Sequence, residues 1–113
     1  MNTNEKIAEA MGWKLNKRPI DGIIEIYDLY HKIGEVGDMG KDTPIGNWLA
    51  KLIQAQLVRE GWYIYIRFTK KTIKIKATKT RMADICIMQK HPETPLSEPA
   101  AIVALAKKIW GIE

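Results

Sequence analysis

The chain has 113 residues, a formal net charge of +5, 46% hydrophobic and 27% charged residues, which is the composition of one globular domain spanning 1–113 with a single core. No apolar run is long enough for a membrane helix, and no basic-then-apolar leader opens the chain. The single cysteine, Cys86, lacks an internal partner, so a reducing cytoplasm is the expected setting.

The first segment, NTNEKIAEAM, reads as a short helix capped by Asn2, Thr3 or Asn4, with Ile7, Ala8 and Met11 as its stripe and Gly12 as its stop. Pro19 and Asp21-Gly22 mark a turn. The following run, IIEIYDLYHKI, fits a helical and an extended template; its β-branched and aromatic content favours the extended one. Gly34, Gly37 and Gly40 then predict a flexible loop. A helix from Thr43 or Pro44 to Glu60 is the clearest element, with Pro44 in its first turn. Its expected buried face is Ile45, Trp48, Leu49, Leu52, Ile53, Gln56 and Leu57.

Gly61 delivers the chain into GWYIYIRFTKKTIKIKAT, which alternates with period two on either side of Lys70-Lys71. Pairing Phe68 with Ile73, Ile66 with Ile75 and Ile64 with Ala77 puts both apolar sets on one face; a one-residue slip would invert one strand. A third strand is predicted over Met82 to Gln89, with Asp84 opposite Lys76. Ser97 then caps a last helix with Ile102, Leu105, Ala106 and Ile109 as its stripe, and Gly111 ends it. The sum is an α+β fold: a three-stranded antiparallel sheet, with residues 22 to 30 a candidate fourth strand, packed by two or three helices. Trp48, Leu52, Ile64, Ile66, Ile75 and Ile102 are expected to be nearly fully buried.

Three stretches carry a family likeness: Met11-Gly12-Trp13-Lys14 after a first helix, Thr43-Pro44 opening a long helix that runs into Glu60-Gly61-Trp62, and a closing helix with Pro99, Ala101, Ile102 and Leu105. In these and in element order the chain resembles the phage ABA sandwich domain proteins, small phage and prophage products. The resemblance implies a phage origin, a bacterial host cytoplasm and a sheet layered between helices (α/β/α), but no particular activity. A small accessory protein of such origin is expected to bind a host component stoichiometrically, blocking a defence component for example.

Enzyme signatures are lacking in the sequence. GEVGDMGK does not have the form of a phosphate loop. His31, His91 and Cys86 have no ligand-spaced partners, so no metal or cofactor is expected. The acid–base candidates, Glu25 with Asp28 and Asp38 with Asp42, are explained as well by a solvated polar face. The most suggestive constellation is the polar face of the hairpin. Tyr63 and Tyr65 suit base stacking, while Arg67, Lys74 and Lys76 suit phosphates, together with Lys70, Lys71, Lys79 and Arg81 taken as tip residues. This gives the competing class, a nucleic-acid or nucleotide binder, a sponge for a nucleotide signal included. The ordinary alternative is that a helix covers this face and the tyrosines belong to the core.

Overall fold

Local signals set the helices. The Asn2 side chain accepts from the Glu5 N–H, Thr43 Oγ1 from Gly46 and Ser97 Oγ from Ala100, so each helix opens on a polar cap. The structure, a computed structural model, describes residues 2–68, 72–79, 85–90 and 97–112, the stretch 85–90 as backbone only. The elements are α1 (Thr3–Ala10), β1 (Lys14–Lys17), β2 (Ile24–Tyr27), β3 (Lys32–Glu35), a 3-10 turn (Val36–Asp38), α2 (Pro44–Arg59), β4 (Trp62–Phe68), β5 (Thr72–Lys79), β6 (Ile85–Lys90) and α3 (Glu98–Ile109). The class is α+β. No helix among the described residues is long and apolar enough to cross a membrane.

The strands make two antiparallel sheets, β1-β2-β3 (sheet A) and β4-β5-β6 (sheet B). Within residues 22 to 30 a strand forms, Ile24–Tyr27, but this β2 is the centre of sheet A rather than a fourth strand of the hairpin sheet. The expected flexible loop is also partly ordered: Gly34 lies in β3 and Gly37 in the 3-10 turn. A Cβ on Gly34 would press to 3.0 Å from Ile45 Cγ2 and 3.2 Å from Leu49 Cδ1, so this glycine lets α2 seat on β3. Sheet B keeps the expected register, with Ile64, Ile66 and Phe68 opposite Ala77, Ile75 and Ile73. In β6, Cys86 rather than Asp84 falls opposite Lys76; Asp84 lies outside the described residues.

One continuous core joins the sheets. Ile26 and Ile33 of sheet A and Ile73, Ile75 and Ala77 of sheet B meet Leu49, Ile53 and Leu57 of α2 and Ile102 and Leu105 of α3. At the far end of the helix pair, Trp110 Nε1 donates to Glu60 Oε1 at 2.8 Å, tying the two C-terminal ends together. Ile75 and Ile102 are fully buried as expected; Leu52, Ile64 and Ile66 are only partly buried, and Trp48 is 47% exposed. The buried face of α2 is Gly46, Leu49, Ala50, Ile53 and Leu57, one residue further along than the bulky stripe suggested. Small residues decide this. A Cβ on Gly46 would collide with the Lys41 carbonyl oxygen, so this glycine seats the first turn of α2 on the 38–41 loop, and with Ala50 on the same buried face Trp48 falls outward.

Helix α2 packs on β3 and β4, and α3 on β5 and β6. Both helices lie on the isoleucine side of sheet B. The layering therefore differs from the expected α/β/α order, because the tyrosine side of sheet B is open: Tyr63 is 71% and Tyr65 58% exposed.

Candidate nucleic-acid interface

The open face of sheet B follows from strand alternation. Once Ile64, Ile66, Ile73 and Ile75 are drawn under the helices, Tyr63, Tyr65 and Arg67 must point away from them, paired with Thr78, Lys76 and Lys74. Tyr63 and Tyr65, two residues apart on one strand, are spaced by about 6.8 Å, twice the rise of a strand in a B-form duplex. Arg67 and Lys74 are directly opposite, a like-charge pair that weakens a ladder unless something anionic lies between them. Neither forms an ion pair among the described residues. The strands of sheet B hold Arg67, Lys74, Lys76, Lys79 and Lys90 and no Asp or Glu at all.

Of the residues expected here, Tyr63, Tyr65, Arg67, Lys74 and Lys76 do come together on this face. Lys79 does not. It is the partner of Trp62 at the end of the sheet away from the hairpin tip, and its Nζ lies 5.6 Å from the centre of the Trp62 ring, a cation–π contact on the helix side. Alternation past Thr78 forces this. Lys70, Lys71 and Arg81 lie outside the described residues. The register adds positions that the sequence reading did not single out: Cys86 opposite Lys76, Met88 opposite Lys74 and Lys90 opposite Thr72. The period of ICIMQK was the available signal for them.

The acid–base candidates resolve into local structure. Asp28 Oδ1 accepts the N–H groups of Tyr30 and His31 at 3.0 and 2.9 Å, which holds its carboxyl below the usual aspartate range. Asp38 accepts from the Glu35 N–H, and Asp42 from the Asn47 amide. Glu25 is only 9% exposed and is held by Lys32 Nζ at 3.0 Å, with Asn16 and Tyr27 also donating to it. The Lys32 contact keeps the Glu25 carboxyl low and raises the Lys32 amine. The His31 side chain is exposed in the β2–β3 turn beside Asp28, and His91 and the Cys86 side chain lie outside what is described. Among the described residues no group of His, Cys, Asp and Glu is arranged to hold a metal ion.

A cleft of about 340 Å³ lies where α1 begins, against Ile23, Ile24, Glu35 and Val36. Its polar side chains are already committed, Asn2 to the Glu5 N–H and Asn4 to the Val36 carbonyl. The open face of sheet B is thus the candidate site. In comparisons with known proteins, no family model, curated protein or solved structure matches this chain.

Proposed function

We propose that the protein acts by binding rather than catalysis, and that it takes single-stranded nucleic acid on the open face of sheet B. The observation that carries this reading is the exposure of Tyr63 and Tyr65 beside Arg67, Lys74 and Lys76, on a sheet whose strands contain no carboxylate. Exposed rings on adjacent alternate positions offer stacking surfaces to unpaired bases, and the cations take the phosphates between them. A duplex hides its base faces, so the rings add nothing to duplex binding.

Titrating a fluorescent single-stranded oligonucleotide at several salt concentrations tests the proposal. With three phosphate contacts at about 0.7 each, log K should fall against log salt with a slope of about −2. Absence of binding at low salt, or equal affinity for a duplex of the same length, sinks it.

A second reading is stoichiometric capture of a host protein by a phage- or prophage-encoded polypeptide, a defence component being the expected target. It draws on Ile45 and Trp48, half exposed and three residues apart on α2, since exposed aromatic and aliphatic neighbours are typical anchors of protein interfaces. A host protein retained on the tagged chain, and lost with Trp48→Ala but not with Arg67→Glu, would favour this reading over the first.

A further inference from the structure

The two sheets have four edge strands, β1 and β3 in sheet A and β4 and β6 in sheet B. An open edge is a template for another strand, and proteins blunt such edges with lysine, proline, bulges or short length. Three of these four are blunted. β1 is four residues with Lys14 and Lys17, β3 is four residues beginning at Lys32 and facing a register irregularity in β2, and β6 ends in Lys90. β4 is the least guarded, its one charge being Arg67 near the end of the strand. It is seven residues, WYIYIRF, without lysine, proline or a bulge, and apart from its ladder to β5 its backbone makes no hydrogen bond to any described residue.

We infer that β4 pairs with β4 of a second copy of this chain, antiparallel about a twofold axis at Tyr65, joining two copies of sheet B into one six-stranded sheet. The sequence of β4 is complementary to itself in this register. Trp62 falls opposite the second copy's Phe68, Tyr63 opposite its Arg67, Ile64 opposite its Ile66, and Tyr65 opposite Tyr65. Directly opposed residues share a face, so each Arg67 meets a tyrosine ring on the open side, a cation–π pairing, and the aliphatic and remaining aromatic pairs meet on the helix side. The register that would centre on Arg67 sets two like charges face to face and is disfavoured.

A knob and a hole repeat the same complementarity. Phe68 is 59% exposed although it points to the helix side. At the other end of β4 a cleft of about 430 Å³ is lined by Val58, Gly61, Trp62, Tyr63 and Ile64. No β5 residue lines it, so it opens at the free edge. The register that places Phe68 opposite Trp62 delivers each phenyl ring to the partner copy's cleft. The pairing does not depend on the nucleic-acid reading, although it would merge two open faces into one platform.

Sedimentation equilibrium of the full chain from micromolar to millimolar concentration is the test. A monomer–dimer equilibrium is expected. Tyr65→Lys sets two ammonium groups opposite one another and Phe68→Ala empties both clefts; each should weaken the dimer about tenfold or more. Both side chains are exposed, so the variants should fold, which circular dichroism checks. Tyr63→Lys should dissociate the dimer likewise, and adding Arg67→Glu should restore it, because each new lysine then faces a glutamate. In a Cys86→Ser background, Tyr65→Cys should cross-link copies on mild oxidation while Tyr63→Cys should not. A monomer at every concentration, a dimer indifferent to Tyr65→Lys and Phe68→Ala, or cross-linking through position 63 in place of 65 overturns the inference.

Discussion

Sheets A and B are both antiparallel and both lean on α2, yet they treat their charges in opposite ways. Sheet A holds a polar cluster that pairs internally: Lys32 lies between Glu25 and Glu35 at 3.0 and 3.8 Å, Asn16 and Tyr27 donate to Glu25, and Arg18 pairs with Asp21 in the adjoining turn. In sheet B, Arg67 and Lys74 oppose each other and no carboxylate stands in any of the three strands. Charges that pair with one another, as around Glu25, have no call for an ionic ligand, whereas a face that gathers cations beside exposed aromatics presents a surface for an anion. The contrast is the reason for placing function on sheet B and reading the Glu25 cluster as structural.

The largest effects belong to what the sheets share. Ile53 of α2 is fully buried in the core common to both, so Ile53→Ala should lower the stability of the whole chain by about 2–5 kcal/mol in a denaturant titration. Leu52→Ala, on the partly buried flank, should cost clearly less. Equal losses at the two positions would mean that the buried face of α2 is wrongly assigned.

Charge reversal comes next and separates the sheets directly. Arg67→Glu with Lys74→Glu should remove most oligonucleotide binding and flatten its salt dependence, while leaving thermal stability nearly unchanged. Lys32→Glu should do the reverse. It leaves Glu25 without its cation and brings a third carboxylate beside two others, so the melting temperature falls and the binding slope stays. If Lys32→Glu weakens binding as much as the double reversal does, the division between a structural and a ligand-facing sheet fails.

A smaller, more local effect is expected of Tyr65→Ala. An exposed ring that stacks on a base contributes about 1–3 kcal/mol to affinity, and losing it should alter stability by no more than about 0.5 kcal/mol. Loss of stability without loss of affinity would show that the ring serves the fold.

These contrasts were unequally legible in the sequence. The hairpin register was readable because alternation over seven and eight residues leaves a single arrangement with all the isoleucines on one side. Sheet A was not, since four-residue strands carry too few alternations to exclude a helix, and IIEIYDLYHKI satisfies both periods. The inner face of α2 was misjudged for a different reason. Bulk marks the residues that are able to fill a core, but Gly46, seated on the 38–41 loop, and Ala50 take up the buried face, and Trp48 falls outward. As for the site, alternation alone placed Tyr63, Tyr65 and Arg67 together. What no local pattern tells is on which side of the sheet the helices lie, and that distinguishes an exposed tyrosine pair from a core one.

Acid should act on one sheet and spare the other. The Glu25 carboxyl is held below its usual range first by its bond to Lys32 and further by Asn16. Asp21 and Asp28, in the two turns of sheet A, are lowered in the same direction by backbone N–H groups. A carboxyl whose folded value is depressed stabilises the fold above its unfolded value, about 4.3 for glutamate and 3.9 for aspartate, and loses that contribution as pH falls through the folded value. Sheet A should therefore loosen as pH drops below about 4, whereas sheet B, with no carboxylate in its strands, has nothing of this kind to lose. Amide exchange, corrected for its intrinsic pH dependence, reads the two separately: protection at Ile26 and Tyr27 should fall on acidification while protection at Ile75 and Lys76 holds until the whole chain unfolds. Lys32→Met removes the first cause of the Glu25 depression, so the acid sensitivity of Ile26 should shrink in that variant. Parallel loss of protection in both sheets of the parent, or an undiminished response in Lys32→Met, would count against the Lys32–Glu25 pair as the element that distinguishes sheet A.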